Sequence, residues 1–212
     1  MQLQPKVWNK GGRTPSRAIP TLLAIAGLLA LPVGTCLADS HDGLFPNAAQ
    51  VGGQVYIDPV APGNKLPTDF ETYGLDGQKI DFGTVVAGKR SLVVFFISAV
   101  PVSVNELKKI EKFVDAQGHK LNLVFVNADT VGSFLEGGPK AAIPHTVRTM
   151  TLIKKEQGLS GALYVAPNDV LSSEGLSTRL GIRGLPTSFL LNTDGTVEKV
   201  FVGPQNWKRG DI

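Results

Sequence analysis

The sequence predicts an α/β fold in three layers, with a central mixed sheet, helices on both faces and an N-terminal hairpin. Three observations carry this. Residues 91–97 (SLVVFFI) and 121–129 (LNLVFVNAD) are apolar runs rich in β-branched and aromatic residues, as in strands buried on both faces. Between them, apolar residues recur at helical spacing, making a strand–helix–strand unit. Asp76-Gly77 and Asp194-Gly195 each sit between short strand-like runs and mark tight hairpins, because Asp-Gly suits a turn with positive φ.

Residues 1–38 have the layout of a signal peptide. Lys6, Lys10, Arg13 and Arg17 form a basic head, 19–31 is an apolar stretch of 13 residues, and Pro32 and Gly34 break it. Cys36-Leu37-Ala38 then places small residues before Asp39. Thirteen residues are short for a membrane span, so cleavage and a periplasmic or secreted product are expected. Membrane attachment requires that the segment stay uncleaved or that Cys36 be lipidated, and Thr35 fits a lipobox poorly.

Cleavage changes the chemistry open to the chain. The four basic residues leave, so 17 remain of 21, against 18 acidic ones, a net of −1. The pI of 9.0 is therefore mostly a property of the leader. No basic stripe with interleaved aromatics points to nucleic acid. The only cysteine, Cys36, leaves as well. The remaining 174 residues must fold by their core alone, and they have no thiolate to offer.

Residues 39–65, rich in Gly, Pro, Asn and Ala, read as a flexible N-terminal arm, and 66–212 as the folded domain. The entry hairpin pairs 70–75 with 78–82. Pro101 suits a first helical turn, where a missing N–H costs nothing. Val104, Leu107, Ile110 or Glu111, and Val114 form the inward stripe of a helix ending near Gly118, with Lys108, Lys109, Lys112 and Asp115 on its wet face. Residues 131–157 read as mostly helical, broken at 136–144 (EGGPKAAIP). The long segment 136–150 is either a partner-binding insert or a tolerated surface insertion. Residues 162–165 form a short strand. Ser172 or Ser173 caps a short helix within 172–182. Residues 188–192 and 197–202 form the closing hairpin.

Three of these segments, in order, resemble the thioredoxin-like superfamily, in particular its exported TlpA/ResA-type and redoxin branch. LPTDFETYGLDGQKIDF (66–82) resembles the entry hairpin. GKRSLVVFFISAVPVSVNEL (88–107) resembles the strand, active-site turn and first helix. LGIRGLPTSFLLNTDGTVEKVFVG (180–203) resembles the cis-proline loop and terminal hairpin. The resemblance implies a thioredoxin-like α/β/α sandwich over 66–212. It also places the family's two Cys-x-x-Cys cysteines at Val100 and Ser103, and its cis-proline at Pro186. Both cysteines are thus replaced, and Ala99 stands where an aromatic often precedes the first. Catalytic residues of the usual kind are absent from that site. What the resemblance leaves is a groove for another exported protein or peptide between Val100 and Pro186, lined by Ala99, Pro101, Val102, Leu185, Pro186 and Thr187. Pro186 either serves that groove or simply shapes the sheet edge.

Other chemistry is sparse. His41, His119 and His145 have no i, i+4 partner, and no cofactor or metal is expected. His41 beside Asp42 near a new N-terminus, and His145 with Met150, are the metal-ligand candidates, against ordinary surface histidines. Ser103 is a hydroxyl without an adjacent base or nucleophile-elbow pattern, which makes it a weak nucleophile. The expected function is a non-catalytic binding, scaffold or assembly protein. The alternative is a redoxin-type oxidoreductase working by a non-standard route. The exported form is expected to begin at Asp39 with no free thiol. Intact mass and thiol titration check this, and a retained, lipidated Cys36 gives a heavier, membrane-tethered product.

Overall fold

The computed structural model describes residues 58–118, 121–129, 136–169 and 172–212. The leader, Cys36, His41 and His119 lie outside the described residues. Among the described residues seven strands form one sheet, and four helices cover it.

Strand β3, Ser91–Phe96, is buried at all six positions. It pairs in parallel with β4, Asn122–Asn127, from Ser91 opposite Asn122 to Phe96 opposite Asn127. On its other edge it pairs antiparallel with β6, Thr187–Leu191. β5, Ala162–Val165, extends the sheet beyond β4, and β7, Val197–Val202, extends it beyond β6. The entry hairpin, β1 (Glu71–Tyr73) and β2 (Lys79–Asp81), joins β5 antiparallel through Tyr73 and Val165. The order is β2-β1-β5-β4-β3-β6-β7. This is the mixed sheet and thioredoxin-like α/β/α arrangement that the sequence predicts.

Alternation along β3 divides the core. Val93 and Phe95 face one cluster with Phe82, Val126 and Phe189; Leu92, Val94 and Phe96 face the other with Leu107, Ile110, Phe125 and Met150. Helix α2, Pro101–Gln117, and helix α3, Ile143–Gln157, cover the second face. Helices α1, Phe82–Val86, and α4, Leu176–Leu180, contribute to the first. Each fully buried Phe or Leu contributes about 1.5–3 kcal/mol, so both faces of β3 are strongly held.

Several expectations need correction. The hairpin strand ends at Asp81, and Phe82 instead opens α1, where it stacks on Phe70 at 4.5 Å. Asp81 Oδ1 accepts the Gly83 N–H at 2.8 Å and caps that helix. Residues 137–142 run through turns, inside the break expected at 136–144, and the helix resumes at Ile143. Neither Ser172 nor Ser173 caps α4, whose N-cap is Gly175. Ser172 Oγ accepts from Glu174 N, one turn too early, while Asn168 Oδ1 takes the Ser177 N–H at 3.0 Å. A residue distant from the helix start thus satisfies that orphan donor.

Residues 58–65, the described part of the expected arm, are tied to the domain. Val60 N–H donates to Leu180 O, Gly63 N–H to Val197 O, and Lys65 bridges Thr196. Gly181, at φ 66°, is required at that contact, since a Cβ there would meet the Asp58 carbonyl at 2.0 Å.

The largest correction concerns α2. Glu106 and Glu111 are buried on its inward side. Glu106 Oε1 accepts the Gln205 N–H and the Trp207 Nε1–H, both at 3.1 Å, and Lys109 pairs with its other oxygen at 3.0 Å. Glu111 Oε1 accepts Ser160 N–H, Ser160 Oγ–H and Gly161 N–H, and Lys108 pairs with Oε2. Burial pushes the Glu111 carboxyl up, but Lys108 and the Gly161 and Ser160 donors together outweigh it and hold it below its ordinary value. Lys108 and Lys109 are therefore partners of buried carboxylates, and Lys109 and Lys112 are exposed, as the wet-face reading expects.

At the opposite sheet edge Glu71 lies between Lys79 and Lys140. Hydrogen bonds from Lys79 and then Lys140 lower its pKa from 4.5 to about 2. This contribution is fully present above pH 4.5 and is lost as pH falls through about 2. Both lysines are mostly exposed, so it is worth about 1 kcal/mol. Urea unfolding of Glu71→Gln against the native chain should show that deficit at pH 7, shrinking towards zero near pH 2.

Candidate functional site

The site expected from the sequence lies where β3 leaves the sheet and α2 begins. Pro101 occupies the first turn of α2, where its missing N–H is harmless. Val100 is the N-cap, extended at φ −111° and ψ 101°, and its side chain caps nothing. Ser103 N–H and Val104 N–H turn back onto the Val100 carbonyl at 2.9 and 3.3 Å. The helix N-terminus that would favour an anionic sulfur therefore begins on an aliphatic side chain.

The β3–β6 register decides what stands beside it. Phe95 is opposite Thr187, and continuing that register sets Pro186 next to Phe96, at the mouth of the loop leading to α2. The Leu185–Pro186 bond is cis, as the resemblance implies. Gly203 N–H donates to Pro186 O at 2.8 Å, and Thr187 Oγ1–H donates to Gly184 O at 2.5 Å.

The predicted site residues differ in what they present. Ala99 and Pro101 are exposed, and Val102 is 48% exposed. Val100 and Leu185 are half-buried, while Pro186 and Thr187 are buried. Thr187 belongs to β6 and uses its hydroxyl on its own loop. Topology thus brings the two segments to one end of the sheet. The surface there is aliphatic, and its outward parts are Ala99, Pro101 and Val102.

Ser103 is fully buried, and its Oγ has no hydrogen-bond partner among the described residues. No base engages it, so an activated serine is not assembled. His145 is exposed and stands 3.7 Å from Glu136, whereas Met150 is fully buried in the core, so these two do not form a metal pair. Among the described residues no three His, Cys, Asp or Glu side chains cluster as metal ligands.

Sequence reading missed the polar network beneath this surface. Asp129, just past β4, accepts the Ser98 N–H at 3.0 Å and the Ser98 hydroxyl on Oδ2. Asp129 N–H donates to Asn127 Oδ1 at 3.2 Å. Ala128 N–H donates to Phe96 O, and Asn168 Nδ2 donates to Ala128 O and Ser177 Oγ. The available signal was the abrupt appearance of Asn127 and Asp129 at the end of an apolar run. Ligand sites of open α/β sheets lie off the carboxyl ends of such strands.

Comparison with known proteins agrees with the geometry. The Redoxin family matches residues 61–212. A hypothetical protein from Sinorhizobium meliloti 1021 is similar in structure at a TM-score of 0.51, with 18% identity over 71% of this chain and 78% of its own. The thioredoxin domain of a thiol-disulfide oxidoreductase from Bacteroides vulgatus gives 0.50, with 14% identity over 68% and 90%. StoA from Bacillus subtilis is 25% identical over 67% and 92%, at a TM-score of 0.45. No curated protein sequence matches. At these identities the first two structures bear on the fold alone. With the family match spanning well over half its length, the chain belongs to the Redoxin family.

Proposed function

We propose that this chain is an exported domain of the TlpA/ResA-type branch that works by binding another exported protein or peptide, as a scaffold or assembly factor. The surface is the Val100/Pro186 groove, with Ala99, Pro101 and Val102 on one side and the Leu185–Pro186 turn on the other. The observation that carries this reading is the pairing of an intact frame with aliphatic and hydroxyl side chains at the thiol positions, Val100 and Ser103. The chain holds one cysteine, Cys36, far from that site in sequence, so no internal dithiol can cycle. The signal-like leader supports export. Among the described residues no helix is long and apolar enough to cross a membrane.

Val102 and Leu152 are the two exposed large apolar side chains among the described residues, and Leu152 lies on α3, away from the turn. Ala99, Pro101 and Val102 together present an exposed apolar run at the turn, which suits partner contact better than chemistry. Family membership favours one alternative, a redoxin-type oxidoreductase acting by another route. The unpartnered Ser103 hydroxyl gives that route no activated nucleophile.

The test uses exported protein lacking Cys36 and a photo-crosslinker at Pro101. A defined partner band that Val102→Asp removes and Leu152→Asp keeps is the expected result. Turnover of insulin disulfides by the same protein, or a band indifferent to Val102→Asp, overturns the reading. A second measurement probes the frame itself. In a Cys36→Ser chain, Val100→Cys with Ser103→Cys should close a disulfide on mild oxidation, because the two positions are one helical turn apart. Thiol titration should then fall from two to zero per chain.

A further inference from the structure

We infer that Asn127 positions the 98–103 segment from both ends, through Asp129 to Ser98 at its entry and through an internal water shared with Ser103 at its exit. The inference rests on the binding reading only for what that segment does; the positioning itself concerns the free protein.

Asn127 is fully buried at the end of β4, opposite Phe96 of β3. Alternation along β4 settles its direction. Val124 and Val126 belong to the α1 and α4 side, and Phe125 to the α2 side, so Asn127 lies on the α2 side of the sheet. The amide orientation is settled too, because Oδ1 accepts the Asp129 N–H at 3.2 Å. Asp129 in turn accepts both Ser98 donors. One end of the Asn127 amide therefore holds the entry to the segment.

The other end, Nδ2, is buried without a hydrogen-bond partner among the described residues, and so is Ser103 Oγ. Serine hydroxyls inside helices commonly bond back to the carbonyl four residues earlier, and Ser103 does not. Ser103 shares the buried stripe of α2 with Leu107, one turn on, whose cluster includes Phe96 and Phe125, and Asn127 pairs with Phe96 where β3 leaves the sheet for α2, so both groups belong to the α2 side at that end. No direct hydrogen bond joins them. A buried polar group left unpaired is costly, and here the donor and the hydroxyl are complementary. One water that accepts from Asn127 Nδ2 and exchanges a hydrogen bond with Ser103 Oγ satisfies both. Serine at 103 then reads as a structural anchor of α2 beneath the apolar surface.

The test is a high-resolution crystal structure of the full chain, with amide hydrogen exchange on the native protein, Ser103→Ala and Asn127→Leu. The expected density is one ordered water within bonding reach of both side chains, lost in Ser103→Ala. Exchange at the first-turn amides of α2 should quicken about five- to tenfold in Ser103→Ala, the scale of one hydrogen bond, with the Ser98 amide unchanged. Asn127→Leu should quicken both. No shared water, native-like exchange in Ser103→Ala, or an equal change at Ser98 in that variant overturns the inference. If Asn127→Leu does not fold, Ser103→Ala decides alone. These readouts need no partner, so failure of the crosslinking test overturns the docking reading and leaves this inference standing.

Discussion

Strand β3 is the constraint on which the rest depends. It is buried along its whole length and paired on both edges, in parallel with β4 and antiparallel with β6. A strand with large apolar side chains on both faces needs cover on both sides, and the helices supply it in two layers. The same pairings bring three chain segments to one place. β3 ends beside the end of β4 and beside the start of β6, so the first turn of α2, the 127–129 corner and the cis-proline turn meet at one end of the sheet.

Two kinds of polar anchoring hold the layer above. Along α2, Glu106 fastens residues 205–207 through a backbone and an indole N–H, Glu111 fastens residues 160–161 through two backbone N–H groups, and each also meets a lysine from its own helix. Carboxyl groups buried this deeply need hydrogen-bond partners, and here each has them. Ahead of α2, Asp129 accepts both Ser98 donors and its own N–H is held by Asn127. The helix that would serve a thiol in a dithiol-bearing relative is thus rigidly placed while presenting valine, proline and alanine.

A helix N-terminus and a nearby cis-proline turn are useful to a thiol enzyme because the first stabilises a thiolate and the second shapes the approach to it. Without sulfur the electrostatic advantage has nothing to act on. Shape and apolar contact remain, and these suit association. Family membership therefore describes the ancestry of the frame, and the local side chains describe its chemistry.

Much of this was legible in the sequence, for a physical reason. Apolar runs, helical spacing and Asp-Gly turns are local patterns, and they located β3, β4, α2 and both hairpins to within a residue or two. The lack of a cysteine pair was equally plain, since it needs only the residue identities. What remained hidden was long-range. Glu111 could be placed on the inward stripe only as an alternative to Ile110, and the partners of Glu106 and Glu111 appear only when residues 205–207 and 160–161 fold over them. Asn168 satisfies a helix start nine residues away, a role that Ser172 or Ser173 seemed fitted for. Phe82 reads as the end of a strand until stacking on Phe70 shows why it opens a helix. Sequence alone determined the elements and the lack of a cysteine pair, because the first depends on the spacing of neighbours and the second on residue identity alone. Tertiary structure alone decided which polar groups are buried and who partners them, because burial is a property of segments distant in the chain that meet only on folding.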